Sequence, residues 1–395
     1  MNFADLLAPT PVETFFARYY SRAPLHVPGE GSRFDQVFSW SDLNRLVDMT
    51  TLWSDRTLKL VLDGQVVAAE RYCQPGLDRE GRSSMRPVPD RVVALLERGA
   101  TLILNVIERL SPGIAAITHT LEAVTGGPVV CNAYCSWKER PAFTSHFDVT
   151  DVFALQIGGH KRWRIYSGRY ENPLDDSSHN YSSFPREHHE QARGEVLEEV
   201  DMQPGDLLYI PRGQYHDALA SSDASLHLSF GVNRTTGIDL MRLLVRSLPD
   251  VPAFRAPLPH FDDREAHLAH LSALASSLKA LIESPETADQ VRQFQRDCTF
   301  RENAPRLSLP GRTRNTSFRV RPLFARLEGA DAAARVVTPH AEIAITAAES
   351  PIVAWILSRD RFGADELAQA MPDVDAADFA ALLDRLLEAR VLELI

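Results

Sequence analysis

A chain of 395 residues divides into two or three domains, each large enough to bury its own core. Its composition, 44% hydrophobic and 24% charged, is that of a globular protein, and its formal net charge is −11. That balance excludes a general affinity for nucleic acid or anionic membrane, because neither polyanion is drawn to an acidic surface, and it favours a basic partner.

The opening stretch MNFADLLAPTPVETFF carries acidic residues and no cationic segment ahead of an apolar core, so no secretory signal is expected. No run of about eighteen apolar residues follows anywhere, which predicts no membrane span and residence in the cytoplasm. Glu13 to Tyr20, between Pro11 and Pro24, predicts a short helix, and Ser39 ahead of Trp40 caps another. Leu58 to Val67 reads as a hairpin about the tight Asp63-Gly64 turn. A helix follows Pro89, Thr101–Val106 is a strand, and Pro112–Val124 is a helix with Ser111 as its cap and Pro112 at the first helical position. From Pro128 to about Val232 the chain reads as strands joined by loops.

After Gly237 the period becomes helical. Leu268, Leu271, Leu274, Leu278 and Leu281 form one apolar stripe, which must cover the β-domain or pair with a copy of itself. The stretch 301–326 is basic, with Arg301, Arg306, Arg312, Arg314, Arg319, Arg321 and Arg326, and reads as a solvated linker with strand fragments. From about Thr338 the order is strand, helix (Ser350–Arg359), short helix (Gly363–Met371), longer helix (Asp375–Ala389) and a terminal strand, a winged-helix-like order. From His340 to Ile395 there are eleven Asp/Glu and four Arg, with Asp375, Asp378 and Asp384 on the would-be recognition helix. DNA backbone contact needs the opposite sign, so a structural or protein-binding module is expected instead.

The four cysteines, Cys73, Cys131, Cys135 and Cys298, are too few and too scattered for a disulfide framework and fit a reducing compartment. Cys131 and Cys135 have no second Cys/His pair nearby to complete a zinc site. The chemistry lies elsewhere. His146 and Asp148 stand two apart, which on a strand turns both side chains to one face. A third ligand, His216, ends QPGDLLYIPRGQYH, where a Pro204-Gly205-Asp206 turn, an apolar strand and a proline-initiated loop deliver it, as small cupin barrels do. Two histidines and one carboxylate occupy one face of an octahedral metal and leave three positions open, the ligand set of non-haem Fe(II) oxygenases. Period two puts Lys161, Trp163 and Ile165 on one face, and an ammonium there needs an anion, for which the far carboxylate of 2-oxoglutarate is suited. Asn132 and Tyr134 share a face and can donate to the same co-substrate. Asp151, Asp206 and Tyr215 read as turn, supporting or wall residues, and His188, His189, His267 and His270 as residues of loops and helix surfaces.

With these residues in view the chain resembles the ribosomal oxygenases, JmjC-type cupin hydroxylases acting on ribosomal proteins. The likeness runs through PTPVETFFARYYSRAPLHV, NAYCSWKERPAFTSHFDVTDVFALQIGGHKRWRIY, PGDLLYIPRGQYH, SLHLSFGVN, the helical segment and the acidic end. It implies an α+β chain: a double-stranded β-helix with N-terminal helices at 1–236, a helical dimerisation domain at 237–310 and a winged-helix-like domain at 311–395. It implies Fe(II) held by His146, Asp148 and His216, and 2-oxoglutarate held by Lys161 with Asn132 and Tyr134 alongside. It further implies hydroxylation of a His or Arg side chain with release of succinate and CO2, and homodimerisation through the helical module. The lysine at 161 is closer to the histidyl-hydroxylating members than to the arginyl-hydroxylating bacterial ones, which place an arginine there. Ile103 and Gly231 depart from the glutamine and serine of a histidyl-hydroxylating relative and leave the substrate residue open. The same chemistry on a small molecule, a peptide natural product or a tRNA, and a non-catalytic metal-binding cupin, are the rival expectations.

Overall fold

The computed structural model describes residues 1–77, 80–137, 144–175, 178–221, 224–299, 317–320, 325–329, 334–338, 341–359, 361–389 and 391–394. They divide into two units, Met1–Arg234 and Thr235–Ile395.

In the first unit the strands run β1 (Leu25–Val27), β2 (Leu58–Leu62), β3 (Gln65–Val66), β4 (Cys73–Leu77), β5 (Ser83–Pro87), β6 (Thr101–Leu104) and β7 (Val129–Trp137). They continue as β8 (Asp151–Gly158), β9 (Lys161–Arg169), β10 (Val196–Met202), β11 (Leu207–Ile210), β12 (Gln214–Ala220) and β13 (Ala224–Val232). An eight-stranded sheet has the order β1-β11-β8-β13-β7-β6-β2-β3, and a three-stranded sheet the order β10-β9-β12. Alternation along the strands decides what each sheet face meets. Cys131, Ala133, Cys135, Phe153, Leu155, Leu207, Tyr209, Leu226, Leu228 and Phe230 belong to one buried cluster with Phe3, Phe15, Ile114, Ile117 and Leu121 of the N-terminal helices. Val152, Ala154, Leu208 and Ile210, on the other face of the same strands, pack with Trp163, Ile165, Val200 and Met202 of the small sheet. The two sheets thus close on each other as a double-stranded β-helix, with helices on the outside of the larger one. Burying each such side chain contributes about 1.5–3 kcal/mol, so a one-residue register slip in β8, which would exchange its two faces, is strongly disfavoured.

Local chemistry sets the turns. Asp63 (φ 53°) and Gly64 (φ 76°) make the tight turn between β2 and β3. Gly205 sits at φ 95°, and a Cβ there would lie 1.9 Å from the Glu30 carbonyl oxygen, so the turn before β11 requires glycine. Ser39 caps the helix Trp40–Asp48 by accepting the Asp42 N–H at 3.2 Å. Ser111 stands at the N-cap of Pro112–Thr125 in extended backbone, but its side chain makes no capping bond there. Between β9 and β10 the all-strand expectation gives way to a helix, Arg186–Ala192. Cys131 and Cys135 are buried on the helix-facing side of β7, among apolar side chains that push both thiols up, unlike zinc ligands.

In the second unit the helices Gly237–Val245, Pro252–Arg255, Arg264–Ile282 and Pro285–Thr299 come first. The nineteen-residue helix Arg264–Ile282 contains no buried residue, and Leu268 and Leu271 of its stripe are exposed. Arg301, Arg306, Arg312, Arg314 and Arg321 of the basic stretch lie outside the described residues, while Arg319 is exposed on a strand and Arg326 pairs with Glu328 at 3.5 Å. The C-terminal part places Ser317–Val320 between Arg361–Gly363 and Leu392–Leu394 and packs the helices Ser350–Leu357, Ala364–Ala370 and Ala376–Glu388 over Phe318, Phe362 and Val391. Asp375, Asp378 and Asp384 are exposed. Among the described residues no helix is long and apolar enough to cross a membrane.

Candidate metal centre

His146 and Asp148 come together with His216, but not by strand alternation. His146 forms an isolated antiparallel bridge with His216, and Asp148 lies in the loop beyond it. The backbone does the positioning. His146 donates its N–H to the His216 carbonyl at 2.9 Å and accepts the His216 N–H at 2.8 Å, while Gly213 donates to the Asp148 carbonyl at 2.8 Å. The segment that carries His146 and Asp148 and the start of β12 are thereby stitched into one clamp.

Their ligand atoms lie within 4.8 Å of one another. Asp148 Oδ2 is 3.5 Å from His216 Nε2, and its Oδ1 is 4.0 Å from His146 Nε2. Each imidazole has Nδ1 against a carbonyl oxygen: His146 on Thr144 at 3.0 Å, His216 on Gln214 at 2.9 Å. A carbonyl only accepts, so Nδ1 carries the proton in both rings and the Nε2 lone pairs turn toward Asp148, the tautomer a metal requires. Burial, reinforced by His146, pulls His216 down to about 4, which keeps it neutral and ligand-ready at neutral pH. The donor set and its geometry fit a divalent metal.

Asp151 holds the loop Pro211–Gly213, which leads into β12 and His216. It is fully buried at the start of β8 and accepts from the Tyr209 hydroxyl and the Arg212 N–H, each at 3.0 Å, with Arg234 at 3.5 Å. Asp206 closes the turn before β11 by accepting from Gly29 N–H at 2.8 Å and Gln203 N–H at 3.0 Å. Asp217, beside His216, takes a bidentate pair from Arg164 at 2.8 and 3.0 Å and the Tyr166 hydroxyl at 2.6 Å, tying β12 to β9.

Inside the barrel Lys161 is 3% exposed, and burial lowers its ammonium to about 7. Among the described residues its hydrogen-bond partner is neutral His227, at 3.4 Å, and no carboxylate stands within ion-pair distance. The Trp163 indole N–H, in the same wall, is buried without a partner. A buried ammonium without a counter-charge among the described residues and an indole N–H without a partner, in one barrel, fit an anionic ligand, since a buried cation with no anion costs several kcal/mol. Tyr134 stacks on His227, and burial raises its hydroxyl far above the usual phenol range. The Asn132 side chain faces Tyr134 and accepts the Val106 N–H at 3.1 Å.

Two residues correct the sequence reading. His189 is not on a helix surface: it is buried, stacked 3.9 Å from Tyr181, with Nδ1 2.8 Å from the Tyr215 hydroxyl and Nε2 2.9 Å from the Tyr181 carbonyl. With both nitrogens engaged it is a packing residue. His227 was not singled out, although the alternation Leu226-His227-Leu228 would have placed it opposite the leucines, inside the barrel.

The chain is similar to known proteins in sequence and in fold. Residues 109–240 match the JmjC domain. The chain is 30% identical over 250 residues to ribosomal oxygenase 1 of Rattus norvegicus, covering 62% of this chain and 39% of that protein. It is 28% identical over 250 residues to the bifunctional lysine-specific demethylase and histidyl-hydroxylase NO66 of Dictyostelium discoideum, covering 62% and 46%. The chain thus spans less than half the length of either relative. The fold matches that of YcfD, a ribosomal oxygenase from Escherichia coli solved with cobalt and 2-oxoglutarate, at a TM-score of 0.54 and 17% identity over 98% of both chains. The match to the JmjC domain spans all three clamp residues, and the chain is similar in sequence to ribosomal oxygenases and in fold to YcfD.

Proposed function

We propose that this chain is an Fe(II)- and 2-oxoglutarate-dependent dioxygenase that hydroxylates a His or Arg side chain of a protein substrate, a ribosomal protein, with release of succinate and CO2. The observation that carries the reading is the pairing, in one barrel, of the His146–Asp148–His216 clamp with a buried Lys161 ammonium that has no carboxylate partner among the described residues. His146, Asp148 and His216 would hold Fe(II) and Lys161, with Asn132 and Tyr134 alongside, would hold 2-oxoglutarate; the bound pair supplies the oxygen activation that replaces an unactivated C–H by C–OH. The chain's own work is positioning. Lys161 neutralises the far carboxylate, the Nδ1 bonds of His146 and His216 keep the rings turned, and Val152, Ala154 and Ile165 exclude water from the interior. No side chain is required as a general base.

The same reading divides the chain into a catalytic domain at 1–236, a helical domain at 237–310 through which two copies pair, and a winged-helix-like domain at 311–395. The exposed Asp375, Asp378 and Asp384 turn the last of these away from DNA and toward protein. Cytoplasmic residence accompanies it. The test is spectroscopic and kinetic: Fe(II) and 2-oxoglutarate added without oxygen give a weak visible charge-transfer band, and Asp148→Ala, while still folded, loses that band and iron-dependent succinate formation. Turnover that survives in Asp148→Ala would remove the ligand assignment.

A further inference from the structure

The Lys161 ammonium is framed by rings. Its Nζ lies 5.9 Å from the ring centroid of Tyr134 and 5.9 Å from that of Trp163, within cation–π range. Its hydrogen-bond partner is His227 Nδ1, at 3.4 Å. An ammonium has three donors and no acceptor, so the imidazole must accept, which leaves the ring proton on Nε2. Burial and the neighbouring cation both hold His227 far below its usual range, and the ring is therefore neutral.

His227 itself has nowhere to go. It is 2% exposed, lies flat on Tyr134 at 4.8 Å and 9°, and meets Trp163 edge-on at 5.5 Å and 83°. Its strand, β13, is hydrogen-bonded on both sides, to β7 and to β8. A lysine, by contrast, carries about 2 kcal/mol of rotamer freedom. The rigid partner therefore fixes the flexible one. If space filling between Tyr134 and Trp163 were the only need, an apolar ring would serve; the nitrogen aimed at Nζ has a use only if the position of the ammonium matters.

Resting on the 2-oxoglutarate reading above, we propose that His227 is a positioning residue that sets the reach of the co-substrate pocket: by accepting one Lys161 N–H it holds the ammonium at a single point. A dicarboxylic 2-oxo acid of one chain length then spans from Lys161 to the His146–Asp148–His216 clamp. Released from His227, the ammonium can follow a terminal carboxylate placed one methylene nearer or farther.

The experiment is calorimetric titration of Mn(II)-loaded protein, without oxygen, with oxaloacetate, 2-oxoglutarate and 2-oxoadipate, which differ by one carbon each. The wild type prefers 2-oxoglutarate. His227→Phe keeps the aromatic stack but offers no acceptor; it should bind Mn(II) as the wild type does, weaken 2-oxoglutarate about tenfold, as expected for one lost bond to a charged group, and narrow its preference over 2-oxoadipate. His227→Asn, whose carbonyl oxygen stands near the place of Nδ1, should restore most of that preference. A folded His227→Phe protein that discriminates among the three acids as the wild type does overturns the assignment, and if that variant fails to fold, His227→Leu carries the same expectation and the same overturning result. Wild-type protein that binds Mn(II) but none of the three acids overturns the co-substrate reading, and this inference with it.

Discussion

At the scale of single residues, Lys161 couples co-substrate binding to pH. In the unliganded protein burial lowers its ammonium to about 7, from an ordinary 10.5, because no carboxylate offsets the lost hydration. A bound dianion restores the charge balance and holds the proton on. The sign follows: below pH 7 Lys161 is already protonated and affinity is flat, whereas above pH 7 each binding event must take up a proton. The Kd for 2-oxoglutarate, measured by calorimetry at saturating Mn(II), should therefore rise by up to about tenfold per pH unit between pH 7 and 8.5. In Lys161→Arg, whose guanidinium stays charged, whatever affinity remains should lose that slope. A wild-type Kd that stays level from pH 6 to 8.5 would show that the ammonium is not what the acid binds.

At the scale of elements, the clamp depends on how the loop Pro211–Gly213 is held between β11 and β12. Asp151 is its anchor, joining Tyr209 of β11, the Arg212 backbone and Arg234 around one buried carboxylate. Asp151→Ala leaves those donors facing a hole and should cost about 3 kcal/mol of unfolding free energy, read as a lower denaturant midpoint, while Asp151→Asn, which keeps one acceptor, should cost less. An unchanged midpoint in the alanine variant would mean the loop is held by other contacts. This dependence also explains what could be read from the sequence. The candidate ligands, the Lys161–Trp163–Ile165 face and the Asp63-Gly64 and Pro204-Gly205 turns follow from residue type and period two, which are local. The bridge that carries His146 is not local: it exists only because His216 of β12 returns beside it, so the sequence predicts a strand where the structure has a single antiparallel bridge. Burial of His189 depends on Tyr215, 26 residues away, which no local pattern shows, whereas the alternation Leu226-His227-Leu228 does carry a local signal for His227.

At the scale of the whole molecule, the second unit carries an apolar stripe on the helix Arg264–Ile282. Leu268 and Leu271 are 58% and 57% exposed, on a nineteen-residue helix without a buried residue. In proteins most helical stability comes from packing of an apolar face, and these two leucines are the exposed part of that face. Ile238, Met241 and Val245 are likewise exposed on the helix Gly237–Val245. The net charge of −11 argues that the partner over these helices is not simply another acidic surface met face to face; two copies can associate only if apolar burial outweighs that repulsion. Covering the exposed part of Leu268 and Leu271 in both copies would contribute a few kcal/mol, part of what the proposed two-fold contact needs to offset the cost of association. Replacing both by glutamate should therefore convert a dimer into a monomer in sedimentation or light-scattering measurements while leaving the helix content, read by circular dichroism of the whole chain, close to that of the wild type. Raising the salt concentration should tighten the wild-type dimer by screening the like charges. A wild-type chain that sediments as a monomer at micromolar concentration would mean that the stripe serves another partner.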